Sequence, residues 1–151
     1  MGNRYIVQLE LAAPTKNEAV LEIIPAASRR ARVCEVTVGG RGTSSAYQRA
    51  SVVRATTAGT GSSTTTPVKF DHVEQPAAAS TVNTAWSGQP TEEAHGEEMT
   101  WNALGGSNRW LAPKGSALEA TGTGDSIVIF IPNDSGLTTQ AMSLSVVFEE
   151  D

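Results

Sequence analysis

A single cysteine, Cys34, stands among 151 residues, so no disulfide can form within the chain. A chain this long buries roughly 70% of its unfolded surface, enough for a core without covalent staples. The lack of disulfides fits synthesis in a reducing cytoplasm. Aromatic residues make up only 5% of the chain, and histidine occurs twice, as His72 and His95, each in a polar segment. No apolar run approaches ~20 residues, so no membrane-spanning helix is expected. Met1–Tyr5 has no apolar core of the signal-peptide kind, so no secretory signal is expected either. Ile6 occupies the position where N-myristoylation prefers Ser or Thr.

Catalytic signatures are equally sparse. There is no Gly-x-Ser-x-Gly nucleophile elbow. Cys34 lies mid-strand on the same face as Val36 and Val38 and reads as an inert thiol, with Arg32 two residues away on that face. His95-Gly96-Glu97-Glu98 sets one imidazole near two carboxylates but has no second histidine at metal-ligand spacing, so it reads as a solvated acidic loop. Asn133-Asp134-Ser135-Gly136 offers oxygen ligands without the full spacing of a calcium loop, and turn chemistry explains it. Gly39-Gly40-Arg41-Gly42 and Gly59-Thr60-Gly61-Ser62 lack the Gly-Lys-Ser/Thr ending of a phosphate-binding loop. Trp86, Trp101 and Trp110 are each able to stack on a sugar, but in an aromatic-poor chain they read as core or interface anchors. The expectation is a protein with no catalytic residue, no cofactor and no metal.

Charge is unevenly spread. Residues 1–69 hold nine Lys or Arg against four Asp or Glu, while residues 70–151 hold two against twelve, for a net charge of -5. That balance argues against a basic nucleic-acid binder and fits solvated strand faces or a charge-matched neighbour.

What the chain has is strands. Arg4–Leu11 alternates, with Tyr5, Val7, Leu9 and Leu11 on one face. Glu18–Ile24 is apolar on both faces and stops at Pro25. Arg30–Val38, Tyr47–Thr57, Glu98–Ala103, Arg109–Leu111 and Ser116–Ala120 follow, with a short strand near Pro67–Asp71. Ala58–Thr65 reads as a flexible loop and Ala85–Gly96 as an exposed one. Pro76–Thr84 reads equally as a short helix, an arm or an irregular edge. The chain closes on the strand Ser126–Ile131, a turn, and the strand Ala141–Phe148, a hydrophobic hairpin. In the second of these Met142, Leu144, Val146 and Phe148 face one way and Ser143 and Ser145 the other. Short strands at this spacing predict one all-β domain, a two-sheet antiparallel sandwich. A jelly roll is preferred and an immunoglobulin-like sandwich is the runner-up. Residues 1–17 form an arm or edge strand in this scheme, and 76–97 a long irregular excursion.

Four short blocks carry a family resemblance. Ala26-Ala27-Ser28-Arg29-Arg30-Ala31-Arg32-Val33-Cys34-Glu35-Val36 resembles an Ala-x-Ser-x-x-x-Arg-Val/Leu strand entry, and Arg54-Ala55-Thr56-Thr57-Ala58-Gly59-Thr60 resembles a strand-to-loop block. Arg109-Trp110-Leu111-Ala112-Pro113 and Val146-Val147-Phe148-Glu149-Glu150 are similar to the last two blocks of the same group. That group is the small virion structural proteins of tailed bacteriophages, of the jelly-roll capsid decoration or cement type. The resemblance spans roughly Glu18 to the C-terminus and departs at the acidic Glu92–Glu98 loop. It implies a non-enzymatic homotrimer made in the host cytoplasm. Such a trimer binds the phage major capsid protein on the capsid surface, with no nucleic-acid or membrane partner. A tail, neck or fibre module in contact with host glycans is the alternative, and a small hydrolase or metal-dependent jelly-roll enzyme the third. Two strands with apolar outer faces point to an interface as well. The interface residues expected are Leu21, Ile23, Val128 and Phe130, together with Trp110 and Arg54 from the resemblance blocks. Val128 and Phe130 are expected to lie at a subunit contact or under Pro76–Thr84.

Overall fold

The computed structural model describes residues 2–94, 96–113 and 118–151, and every regular element among them is a strand. In chain order these are β1 (Asn3–Leu11), β2 (Glu18–Ile24), β3 (Arg30–Gly40), β4 (Tyr47–Thr57), β5 (Thr60–Thr65), β6 (Val68–Lys69) and β7 (Thr81–Gly88). Then come β8 (Thr91–Glu92), β9 (Glu97–Asn102), β10 (Ser107–Leu111), β11 (Leu118–Thr121), β12 (Ser126–Ile131) and β13 (Met142–Glu150).

The pairing is nested. β1 pairs β13, β2 pairs β12, β3 pairs β10 and β11, and β4 pairs β8 and β9, all antiparallel. The first part of the chain thus meets the last part in reverse order, as one long two-ply ribbon. The ribbon wraps so that β13 also joins β3 and β12 also joins β4. The first sheet runs β10-β3-β13-β1-β6, with β11 on the same side of β3 as β10; the second runs β5-β7-β2-β12-β4-β8, with β9 sharing β4. This is the jelly-roll form of the sandwich, two Greek keys deep. β5, β6 and β7 are an insertion at the ribbon's tip that folds back, β6 onto β1 and β7 onto β2.

Alternation fills the space between the sheets. Val36, Val38, Ile127, Ile129, Leu144 and Phe148 are all buried in one core. Tyr5 stacks on Phe148 at 5.5 Å between ring centroids, and its hydroxyl donates to the Pro76 carbonyl. Ser143 and Ser145 point away from this core, as the sequence predicts.

Several expectations need correction. The closing strands are not a hairpin. β12 lies in the second sheet and β13 in the first, so the turn between them crosses the sandwich. Ala58–Thr65 is not simply a loop, since β5 pairs β7 across Thr60–Thr65, and its Ser and Thr side chains sit on an exposed edge. Within the excursion expected at 76–97, Thr81–Gly88 form β7 and Thr91–Glu92 form β8, and Pro90 between them is buried. Within residues 1–17, expected as an arm or edge strand, β1 pairs β13 along its whole length and has only the two-residue β6 on its other side. Of the strand expected at Ser116–Ala120, residues 116–117 lie outside the described residues.

Two irregularities reverse the simple alternation. Opposite Val147 and Phe148, β3 offers Glu35 and Val33, which leaves Cys34 as an extra residue. Val33 therefore turns into the core and Cys34 stays half-buried outside it, not beside Val36 and Val38. Burial and then the Glu149 charge raise the Cys34 thiol above its usual range. In β2 the residues opposite Ile129 and Phe130 are Leu21 and Ala19, so Val20 is the extra one. Both Val20 and Leu21 then reach the core, which is why this strand looks apolar on both faces.

The charge asymmetry of the sequence is resolved across the ribbon. Arg4 pairs with Asp71 at 2.5 Å, Arg54 with Glu93 at 3.1 Å, and Arg49 with Glu98 and Asp134. Arg32 meets Glu119 at 3.0 Å and Asp151 at 2.7 Å. Cations of the first half neutralise acids of the second because the nested pairing brings those halves together.

Candidate interaction site

The outward side of the second sheet carries a small core of its own. Ala19, Val53, Ala55 and Val128 are buried there, with Trp86 and Phe130 packed over them. Val128 faces Val53 on one neighbouring strand and Glu22 on the other. Its cover comes from Trp86 near the far end of β7, not from Pro76–Thr84. Residues 79 and 80 are held elsewhere, where the Glu150 carboxylate accepts from the Ala79 amide at 2.9 Å and the Ser80 amide at 2.6 Å.

Beside this patch, Glu22 is fully buried. Its Oε1 accepts from the Gly59 amide at 2.8 Å and the Ser126 hydroxyl at 2.6 Å. Its Oε2 accepts from Asn83 Nδ2 at 3.1 Å and the Trp86 indole at 2.7 Å. Four neutral donors from three segments thus converge on one side chain, and no cation pairs with it among the described residues. Gly59 is required at its position, since a Cβ there stands 2.7 Å from Trp86 Cδ1. The centre ties β5 and β7 to β2 and β12, and so fastens the insertion to the sandwich. It was not legible in the sequence, where Glu22 is one acid inside an apolar run.

Burial, reinforced by the Glu22 charge, holds the Glu92 carboxyl above the usual carboxylate range. The folded state therefore binds the Glu92 proton more tightly than the unfolded chain does. The resulting stabilisation is present below the unfolded carboxylate range and is lost as pH rises through the elevated folded value. Glu92→Gln is expected to raise the melting temperature at pH 7, with the gain shrinking toward zero at about pH 3. Calorimetry across that interval checks it, and a lower melting temperature at pH 7 would contradict it.

Exposed large apolar side chains gather at two places. Val68, Phe70 and Val73, at 64%, 45% and 80% exposure, project from β6 and the loop after it. That loop is braced from within. Gln75 is buried, accepts from the Asp71 and His72 amides and donates to the Arg4 carbonyl, while Lys69 Nζ donates to the Val73 carbonyl. The Arg4 guanidinium lies 5.1 Å from the centre of the Phe70 ring. Among the described residues Tyr47, Leu104 and Leu111 are the other three, on the edge formed by β9 and β10 and the adjoining start of β4.

The residues singled out from sequence fall apart in space. Leu21, Ile23 and Val128 are buried inside the single chain and have no surface left for a partner, which corrects the expectation for all three. Phe130 is half-buried over the outer patch, Trp110 is half-buried against the main core, and Arg54 is exposed in its pair with Glu93. Trp101 lies in the main core, against which Trp110 also packs, while Trp86 lies over the outer patch, so the three tryptophans form no common platform. His72 is exposed in the β6 loop, and His95 lies outside the described residues. Among the described residues no three His, Cys, Asp or Glu side chains converge as metal ligands. The Asn133–Gly136 turn is tied by the Gly136 amide to Asp134 Oδ1 at 2.9 Å. The apolar loop after β6 was missed from sequence, although Val68, Phe70 and Val73 spaced among Lys69, Asp71 and His72 were its visible trace.

No protein-family model matches this chain, and no curated protein matches it.

Proposed function

We propose that this chain is a structural virion protein, a decoration or cement protein that binds the outside of an icosahedral phage shell. It stabilises the shell by bridging neighbouring capsid subunits, and it acts as a homotrimer. The observation that carries the reading is the placing of the exposed apolar side chains, which stand in two groups at opposite edges of a jelly roll. A bridge needs contacts on more than one side, and exposed apolar groups of this kind mark protein–protein contacts. The resemblance at Arg54–Thr60 and Arg109–Pro113 supplies the virion setting and the trimer. The action is mass action: a protein that binds only the assembled lattice stabilises that lattice. Of the alternatives, the glycan-binding tail or fibre module draws no support from the scattered tryptophans.

The test is binding to phage shells stripped of their decoration proteins. The chain is expected to bind to saturation and to raise the temperature at which the shells come apart. Shells that neither retain the chain nor gain heat resistance contradict the proposal.

A further inference from the structure

Phe130 stands half-buried on the outer face of the second sheet and forms one wall of a cavity of about 540 Å³. The strand register builds this cavity. Phe130 lies across the ladder from Ser51 of β4, and Glu98 of β9 lies across from Ser51 on the other side. Arg49 and Val53 flank Ser51 along β4 and line the same space. Glu92 pairs with Ala55 farther along β4, and Glu92 and Glu93 complete the acidic part of the lining. The volume falls within the range of small-ligand sites, about 300–1,000 Å³.

Two independent features of the cavity point to an occupant. The first is a hydroxyl. Ser51 is only 7% exposed and lines the cavity, and its Oγ has no hydrogen-bond partner among the described residues. Buried polar groups are ordinarily satisfied, and this one opens only into the cavity. The second is charge. Three carboxylates and one guanidinium line the space. The guanidinium of Arg49 is held by Glu98 and Asp134, and Glu93 is answered by Arg54. Glu92 has no cation among the described residues, although burial and then the Glu22 charge oppose its ionised form. The chain thus keeps an acid where it lowers its own stability, as binding sites often do.

We propose that this cavity binds a basic side chain, lysine or arginine, presented by a partner protein. The charged head meets Glu92, and the apolar stem lies along Val53 beside the Phe130 ring. The peptide carbonyl at the root of the side chain accepts from Ser51 Oγ. Two residues of β4 separate Ser51 from Val53, about 7 Å, which is close to the reach of such a stem. The inference goes beyond the bridging role and stands without it.

Titration of isotope-labelled chain with single-residue probes, followed by nuclear magnetic resonance at neutral pH, tests the site. Nα-acetyl-lysine amide and Nα-acetyl-arginine amide are the basic probes. At least one is expected to shift the amide signals of Ser51, Val53, Glu92 and Phe130 saturably, in the millimolar range. Nα-acetyl-norleucine amide keeps an apolar stem without the charge and is expected to leave those signals in place. Glu92→Gln is expected to weaken the basic probe about tenfold, and Ser51→Ala about threefold. Glu92→Gln is also expected to melt higher than the wild type at neutral pH, so its weaker binding cannot come from unfolding; melting curves check both variants. Silence from both basic probes, equal binding of the neutral probe, or undiminished binding by either variant overturns the proposal. No shell enters this titration. A chain that binds shells but neither basic probe keeps the bridging role and loses this site, while one that binds a basic probe but no shell does the opposite.

Discussion

Val128→Asp is expected to unfold the isolated chain, with no partner involved. Val128 is fully buried among Ala19, Val53, Ala55, Trp86 and Phe130, all from the same molecule. An aspartate there loses the apolar transfer energy of valine, about 1.5–3 kcal/mol. It also strands a carboxylate without a cation, next to the buried Glu22 that faces it across the ladder. Buried unpaired charges cost about 3–5 kcal/mol. The total approaches the whole stability of an ordinary domain, about 5–15 kcal/mol. Val128→Ala removes only methyl groups and should cost about 2 kcal/mol. For a chain of this length that lowers the melting temperature by about 4–8 °C. Thermal denaturation of dilute protein reads both. A Val128→Asp chain that melts like the wild type but no longer assembles would place Val128 at a subunit contact and refute its burial.

Glu22→Ala is expected to be the next most damaging change. It deletes the one acceptor shared by the Gly59 amide, Asn83, the Trp86 indole and the Ser126 hydroxyl. Each buried donor left without a partner costs about 1–3 kcal/mol. Local water entry recovers part of this, and a net loss of about 4 kcal/mol is expected. Glu22→Gln keeps one oxygen for two donors and turns an amide toward the other two, so about half that loss is expected. The damage should centre on the insertion. Hydrogen exchange is expected to rise first at the Gly59 amide and in β5 and β7, while β3 and β13 stay protected. Uniform loss of protection across both sheets would show instead that Glu22 supports the sandwich as a whole.

The sandwich was legible because its strands alternate. Met142 to Phe148 and Tyr5 to Leu11 each show one apolar face, and β2, β4 and β12 begin and end where composition and Pro25 predict. The partners of each strand were not legible, since pairing is nested across the full length of the chain and no local signal reports it. The closing strands show the difficulty: β12 and β13 are adjacent in sequence and yet lie in opposite sheets. The apolar outer face of β12 was legible at Val128 and Phe130, but its cover was not. Trp86 does that work from a segment whose polar composition reads as a loop. The extra residues at Val20 and Cys34 were hidden for a related reason: each depends on the partner strand, and period-two reading assumes a regular one. β5 escaped because Thr, Gly and Ser on an exposed edge are indistinguishable by composition from a linker.

The measurement that bears most directly on the bridging role is an image reconstruction of a phage particle bearing this chain. The expected density is a set of jelly rolls on the outer surface of the shell, at positions shared by neighbouring capsid subunits. A particle whose shell surface lacks the chain, or that carries it only in the tail or neck, would contradict a decoration role.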